Sequence, residues 1–132
     1  MHKITDIKAL EILDSRGNPT VEVHMNTVNY NAYASVPSGA SKGKHEAHEI
    51  RDLGKRYSGQ GVKKSIENIN NEIKNRLIDK DLDNQNFIDN SMIRLDGTYH
   101  KTNLGANSML AVSLAYARLS AISRGMPLYK YV

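Results

Sequence analysis

The first third of the chain alternates apolar and polar positions as half-buried strands do. Ile4 to Leu13 is rich in Ile and Leu, and Asp14-Ser15-Arg16-Gly17-Asn18-Pro19 follows with dense turn chemistry. Val21, Val23 and Met25 then alternate with Glu22, His24 and Asn26, the two-residue period of a strand with one buried face. A second turn falls at Asn26 to Asn29, after which Tyr30, Ala32, Ala34 and Val36 alternate with Asn31, Tyr33 and Ser35. Three strands joined by short loops predict an antiparallel meander.

Beyond Val36 the period changes. Pro37-Ser38-Gly39-Ala40-Ser41-Lys42-Gly43 is a loop of small residues whose backbone can approach a ligand closely. A short helix is expected from Lys44 or His45 through Glu46-Ala47-His48-Glu49-Ile50-Arg51, and Gly54, Gly59 and Gly61 bracket a further connection. Val62, Ile66, Ile69, Ile73 and Leu77 step by 4, 3, 4 and 4, one apolar stripe on a helix. Within it, the Asn-rich stretch Asn68–Asn71 reads as an exposed helix face. Ile88, Met92 and Leu95 repeat the helical spacing, with Gly97 suited to a C-terminal cap. A last helix is expected from Asn107 through Leu110, Leu114, Ala117 and Ala121, with Gly125 and Pro127 as stop signals, and the small residues Ala106, Ala111, Ser113, Ala115 and Ala117 let it pack closely against its neighbours. Strands first and helices after them predict an α+β fold: a three-stranded antiparallel β-meander followed by a helical bundle.

A length of 132 residues suits one domain spanning 1–132. A hydrophobic content of 39% with 24% charged residues is a globular balance, not a disordered one. The absence of cysteine excludes disulfides, thiolate zinc sites, iron–sulfur clusters and thiol nucleophiles. No apolar run approaches the ~18 residues of a membrane span, and the Met1 end is too polar for a signal peptide, so the cytosol is the expected compartment. The net charge of +4 lies wholly between Lys42 and Lys64, where seven basic residues face three acidic ones. Such a segment attracts a polyanion or a phosphorylated ligand, although a solvated face is the commoner outcome.

Single motifs in this region carry little. His45 and His48 stand three apart on the expected helix, but a His-x-x-His pair falls short of a zinc site, and an exposed polar face explains it better. Ser41 beside His45 suggests a nucleophile and base, but nothing orients the base. The Gly39–Gly43 loop offers backbone N–H groups to a phosphate without the ending of a P-loop. Nucleic acid is disfavoured, since Tyr57 is the basic segment's lone aromatic residue.

The combination is more specific. Ile12-Leu13-Asp14-Ser15-Arg16-Gly17-Asn18-Pro19-Thr20-Val21-Glu22-Val23 resembles the opening signature of the enolase family. The resemblance continues through Val36-Pro37-Ser38-Gly39-Ala40-Ser41, Gly43, His45-Glu46-Ala47, Glu49 and Arg51-Asp52. It then takes in Gly59-Gln60-Gly61-Val62, Leu95-Asp96-Gly97-Thr98, Asn103-Leu104-Gly105-Ala106-Asn107, Val112-Ser113-Leu114-Ala115 and Pro127-Leu128-Tyr129. It covers nearly the whole chain, in family order and spacing.

The resemblance implies a small N-terminal domain that caps a C-terminal β/α barrel, absent from these residues. Family members reversibly dehydrate 2-phosphoglycerate to phosphoenolpyruvate in glycolysis, with a Lys base, a Glu acid and the main Mg²⁺ ligands in the barrel. No catalytic residue is therefore expected here, and the 132 residues alone are expected to be inactive. The resemblance assigns Ser38, Gly39, Ala40, Ser41, Lys42, Gly43 and His45 to a substrate lid. It makes Ser41 a ligand of a second, substrate-dependent Mg²⁺, and Glu22 a contact in a cytoplasmic homodimer. The expected partners are the substrate and the chain's own barrel, with no nucleic acid and no membrane. Three positions depart from the family pattern: Lys42 replaces the usual Thr, Lys44 adds a second lid cation, and Leu10 replaces an interface Arg. Lys42 and Lys44 either draw the anionic substrate or repel the metal. A non-catalytic enolase-like binding domain with an altered lid is the alternative.

Overall fold

The computed structural model describes residues 2–37 and 47–132. Strands β1 (Asp6–Leu13), β2 (Pro19–Asn26) and β3 (Asn31–Ser35) form one antiparallel sheet in the order β1-β2-β3, the expected meander. The register places Ile7, Met25 and Ala32 in one row and Ala9, Val23 and Ala34 in the next, and all six side chains are buried. Their polar neighbours face the other way, as a period of two requires. The first strand begins later than the pattern suggests. Ile4 is fully buried, but its N–H donates to Lys80 O and its carbonyl accepts from Asp79 N, both at 2.9 Å. A turn after the first helical run thus takes the backbone bonds that β2 would have supplied.

The helices cover the inner face of this sheet. Helix α1 (Lys63–Asn68), a π-helical turn (Ile69–Ile73) and α2 (Lys74–Leu77) run on without a break and lie along β1. Val62, Ile69, Ile73 and Leu77 of the predicted stripe are fully buried, and Ile66 packs at the edge of the core. Burying each such side chain contributes about 1.5–3 kcal/mol. Helix α3 (Gln85–Asp96) opens on Asn84, whose side chain accepts from Phe87 N, and closes on Gly97 at φ 74°, the left-handed cap expected there. Helix α4 (Ala106–Ser123) crosses β2 and β3, and α5 (Leu128–Tyr131) packs back on it. Buried Tyr116 ties α4 to the 81–84 turn: its hydroxyl donates to Asp81 O at 2.8 Å and accepts from Asn84 N at 3.2 Å. Burial pushes its phenol up to about 12.

Two expectations are corrected. Residues 47–53 are not helical, because their N–H and C=O groups bond to distant parts of the chain in place of one another. The buried face of α4 carries Ser108, Ala111, Val112, Ala115 and Leu119, whereas Leu110 is 44% exposed and Leu114 and Ala117 are half-buried. The small residues on the buried side allow close approach to the Ala32 and Ala34 rows of the sheet. The Asn68–Asn71 stretch is no simple exposed face. Asn70 Oδ1 accepts from Ala9 N at 2.8 Å and its Nδ2 reaches Ala9 O at 3.5 Å, so one side chain occupies the open edge of β1. Asn68 Nδ2 donates to the carbonyls of Asn103 and Leu104.

Candidate functional site

The described residues nearest in sequence to the predicted loop are its two flanks, and both are tied to the start of β2. On the first flank Val36 N donates to Val21 O at 3.0 Å, and the buried Thr20 hydroxyl donates to Val36 O at 2.6 Å. On the second, Arg51 Nη1 donates to Pro19 O at 2.6 Å and to Gln60 O at 2.8 Å, while its Nη2 lies 3.1 Å from Glu49 Oε2. Pro19, Thr20 and Val21, which end the β1–β2 turn, are all buried. A rigid strand end therefore holds the chain on both sides of residues 38–46.

The second flank has no ladder of its own, so its backbone is satisfied by side chains and loops. His48 N donates to His100 O and His48 O accepts from Ala106 N at 2.7 Å. The buried Asn107 side chain then grips Ile50 at both ends: Oδ1 accepts from Ile50 N at 3.2 Å and Nδ2 donates to Ile50 O at 3.1 Å. Ser65 Oγ and Ser108 N also donate to Oδ1, each at 3.1 Å. Gly105, at φ 92°, makes this approach possible. A Cβ there would lie 2.8 Å from both Asn107 Oδ1 and Ile50 Cγ1. Asp52 N donates to Gly61 O, and the Asp52 carboxylate accepts from Lys63 N and Lys64 N, capping α1 from outside the helix. Glu11, from the inner face of β1, completes this end: it accepts from Val62 N at 2.9 Å and pairs with Arg56 through both carboxylate oxygens. The Arg56 hydrogen bonds hold the Glu11 carboxyl below its ordinary value.

The loop that offers the His100 carbonyl is built around one carboxylate. Asp96, 1% exposed, accepts from Thr98 N at 2.9 Å, Asn103 N at 3.1 Å and Leu104 N at 2.7 Å, and from the Thr98 hydroxyl. Burial alone raises its pKa, but the Leu104, Thr98 and Asn103 donors outweigh it and hold the group ionised below the usual carboxylate range.

Glu22 faces away from the helices, on the outer side of the sheet. Its Oε1 accepts from Ser35 Oγ at 2.9 Å, and its Oε2 lies 3.0 Å from His24 Nε2. His24 stacks on Tyr33 with ring centroids 5.4 Å apart, and Leu10, 39% exposed, pairs with Glu22 in the adjacent row. No helix lies against this face among the described residues, and a carboxylate, an imidazole, an aromatic ring and an aliphatic side chain meet on it.

Residues 4–132 match the family model described as the enolase N-terminal domain. The chain belongs to this family. Curated enolases agree closely with it: that of Thermococcus kodakarensis is 53% identical over 130 residues, and those of Methanococcus vannielii and Thermococcus gammatolerans are each 54% identical over 130 residues. Each alignment covers 98% of this chain and 30% of the relative, so the chain spans about a third of the length of the enolases it matches. The three-stranded meander followed by helices fits the enolase N-terminal fold.

Of the enolase lid residues expected from the sequence, Ser38, Gly39, Ala40, Ser41, Lys42, Gly43 and His45 lie outside the described residues, as does Lys44. His48 is exposed on irregular chain, not on the helix expected to pair it with His45. Among the described residues no three His, Cys, Asp or Glu side chains gather to hold a metal, and no helix is long and apolar enough to cross a membrane. A cleft of about 580 Å³ between α3, α4 and α5, lined by Gln85, Asp89, Ser113, Leu114, Leu128 and Tyr131 among others, contains none of the expected site residues. The side chains that organise the loop flanks, Thr20, Arg51, Asp96 and Asn107, were not singled out by sequence pattern. All four stand inside the strings that carry the family resemblance, and that was the available signal.

Proposed function

We propose that this chain is the lid-bearing N-terminal domain of an enolase that interconverts 2-phosphoglycerate and phosphoenolpyruvate in the cytoplasm. The observation that carries the reading is the 53–54% identity to proteins named enolase across 98% of the chain. The catalytic acid and base belong to the remaining length of the protein, so the 132 residues by themselves turn over no substrate.

The part assigned to this domain is to place the 38–46 segment over the substrate and shield it from water. Thr20, Val21 and Arg51 serve that role by fixing where the segment leaves and rejoins the fold. The Ser41 hydroxyl is a hard oxygen donor of the kind magnesium accepts, and it would add one ligand to an ion that also binds substrate oxygens. That ion would neutralise charge developing on the substrate carboxylate. Lys42 and Lys44 stand in the same segment; in this reading they attract the anionic substrate. Glu22, held toward the open sheet face by Ser35 and His24, is the proposed contact with a second copy of the full-length protein.

The test is direct. The full-length protein should form phosphoenolpyruvate from 2-phosphoglycerate in the presence of Mg²⁺, and the 132-residue chain should not. Absence of turnover by the full-length protein would favour the non-catalytic binding domain instead. In the active protein, Lys42→Thr should leave the magnesium requirement unchanged and raise KM; a lower magnesium requirement would mean that the lysine repels the metal.

A further inference from the structure

We infer that Asn107 is a positioning residue for the proposed reaction, acting through the backbone of Ile50 to hold the chain that follows residue 46 in register with the rest of the domain. The inference deepens the enolase reading and rests on it for the link to substrate. Four observations carry it. The segment 47–53 has no helix or strand to fix it, so its placement depends on a few bonds. Asn107 is 4% exposed and bonds both the N–H and the carbonyl of Ile50, reproducing with a side chain the pair of bonds that a neighbouring strand would make. Its amide is itself oriented, because the backbone N–H groups of Ile50 and Ser108 both donate to Oδ1, which assigns Nδ2 to the Ile50 carbonyl. Gly105 is shaped to let Ile50 and Asn107 meet, since any side chain there would collide with both.

The chemistry of such a contact is geometric. Asn107 is buried inside the domain, and a shift of 47–53 would displace the point at which the chain rejoins the fold. Small misplacements of groups that enclose a substrate lower rates steeply, by up to about a hundredfold for 1 Å.

Asn70 supplies an internal control. It makes the same two bonds, to Ala9 N and Ala9 O, but on a strand already paired with β2 along its whole length. In the full-length protein, Asn107→Ala should speed amide exchange of the peptide carrying Ile50 by about tenfold or more. It should also lower kcat/KM for 2-phosphoglycerate by about tenfold. Asn107→Ser keeps a polar group at the position but is too short to bond both ends of Ile50; it should show both effects more weakly, and it decides the matter if Asn107→Ala does not fold. Asn70→Ala should leave kcat/KM and Ile50 exchange within about twofold of the unsubstituted protein. The inference is overturned if the Asn107 variants behave like Asn70→Ala, or if Ile50 exchange rises while kcat/KM stays unchanged. If the unsubstituted protein turns over no 2-phosphoglycerate, the enolase reading fails separately. Exchange at Ile50 then decides the anchoring alone: acceleration supports it and no change overturns it.

Discussion

Asn70 and Asn107 do the same thing to two different kinds of backbone. Each sets an amide against one residue far away in sequence, Ala9 or Ile50, and bonds its N–H and C=O together. Behind Ala9 stands a strand of eight residues paired along β2, and behind Ile50 stands irregular chain. At the sheet edge the side chain seals a surface that would remain ordered without it. Beside the proposed lid it substitutes for secondary structure. A hydrogen bond of one geometry can therefore serve stability in one place and placement in another, according to whether the backbone it holds has other support.

The comparison can be broken most forcefully at Asp96, because its carboxylate shapes the loop that lends the His100 carbonyl to the irregular segment. Asp96→Ala removes at once the acceptor of the buried Leu104 N–H, of Asn103 N and of the Thr98 donors. It should cost about 3 kcal/mol or more, read from the urea midpoint, and should loosen residues 47–53 along with the 97–105 loop. Asn107→Ala should cost about 2 kcal/mol, since Ile50, Ser65 and Ser108 all lose a partner. Asn70→Ala should cost about 1 kcal/mol, because water can reach the open edge of β1. Equal losses at the two asparagines would mean that the surrounding ladder offers no compensation, and the contrast drawn above would fail.

How much of this was legible in the sequence follows the range of the forces involved. The alternation at Val21, Val23 and Met25 and the stripe from Val62 to Leu77 report local periodicity, and the sheet and the first helical run follow them. Gly97 marked its cap because a left-handed C-terminal residue is a local requirement. Ala47-His48-Glu49-Ile50-Arg51 misled, being composed of fair helix formers. The bonds that hold 47–51 out of a helix come from His100, Ala106 and Asn107, some fifty residues on, where periodicity holds no information. Asn70 was obscured for the same reason: its partner is 61 residues away. The small residues expected to let α4 pack closely include Ala111 and Ala115, which lie on its buried face, whereas Leu110 on the same helix is exposed. The candidate site was legible only as a family pattern. Ser41 and its neighbours carry a role through resemblance, while the residues that hold their flanks emerge from the fold.

The smallest predicted effect sharpens the comparison from the side of charge. Glu11 resembles the asparagines in accepting a distant backbone N–H, that of Val62, but it adds an ion pair with Arg56 that is partly open to solvent. Glu11→Gln keeps an acceptor for Val62 and loses the charge, so its loss at neutral pH should be smaller than that of Asn70→Ala. The sign of its pH dependence is set by the lowered Glu11 pKa, whose largest cause is the Arg56 hydrogen bond. A carboxylate held below its unfolded value, about 4.3 for Glu, stabilises the fold above that pH and loses the contribution as pH falls through the folded value. The urea midpoints of the unsubstituted chain and of Glu11→Gln should therefore converge as the pH drops through and below about 4, while those of the unsubstituted chain and of Asn70→Ala keep their separation. Convergence of the asparagine variant instead would show that the edge of β1 is held by charge as well as by amide bonds, and the likeness between the two clamps would have to be redrawn.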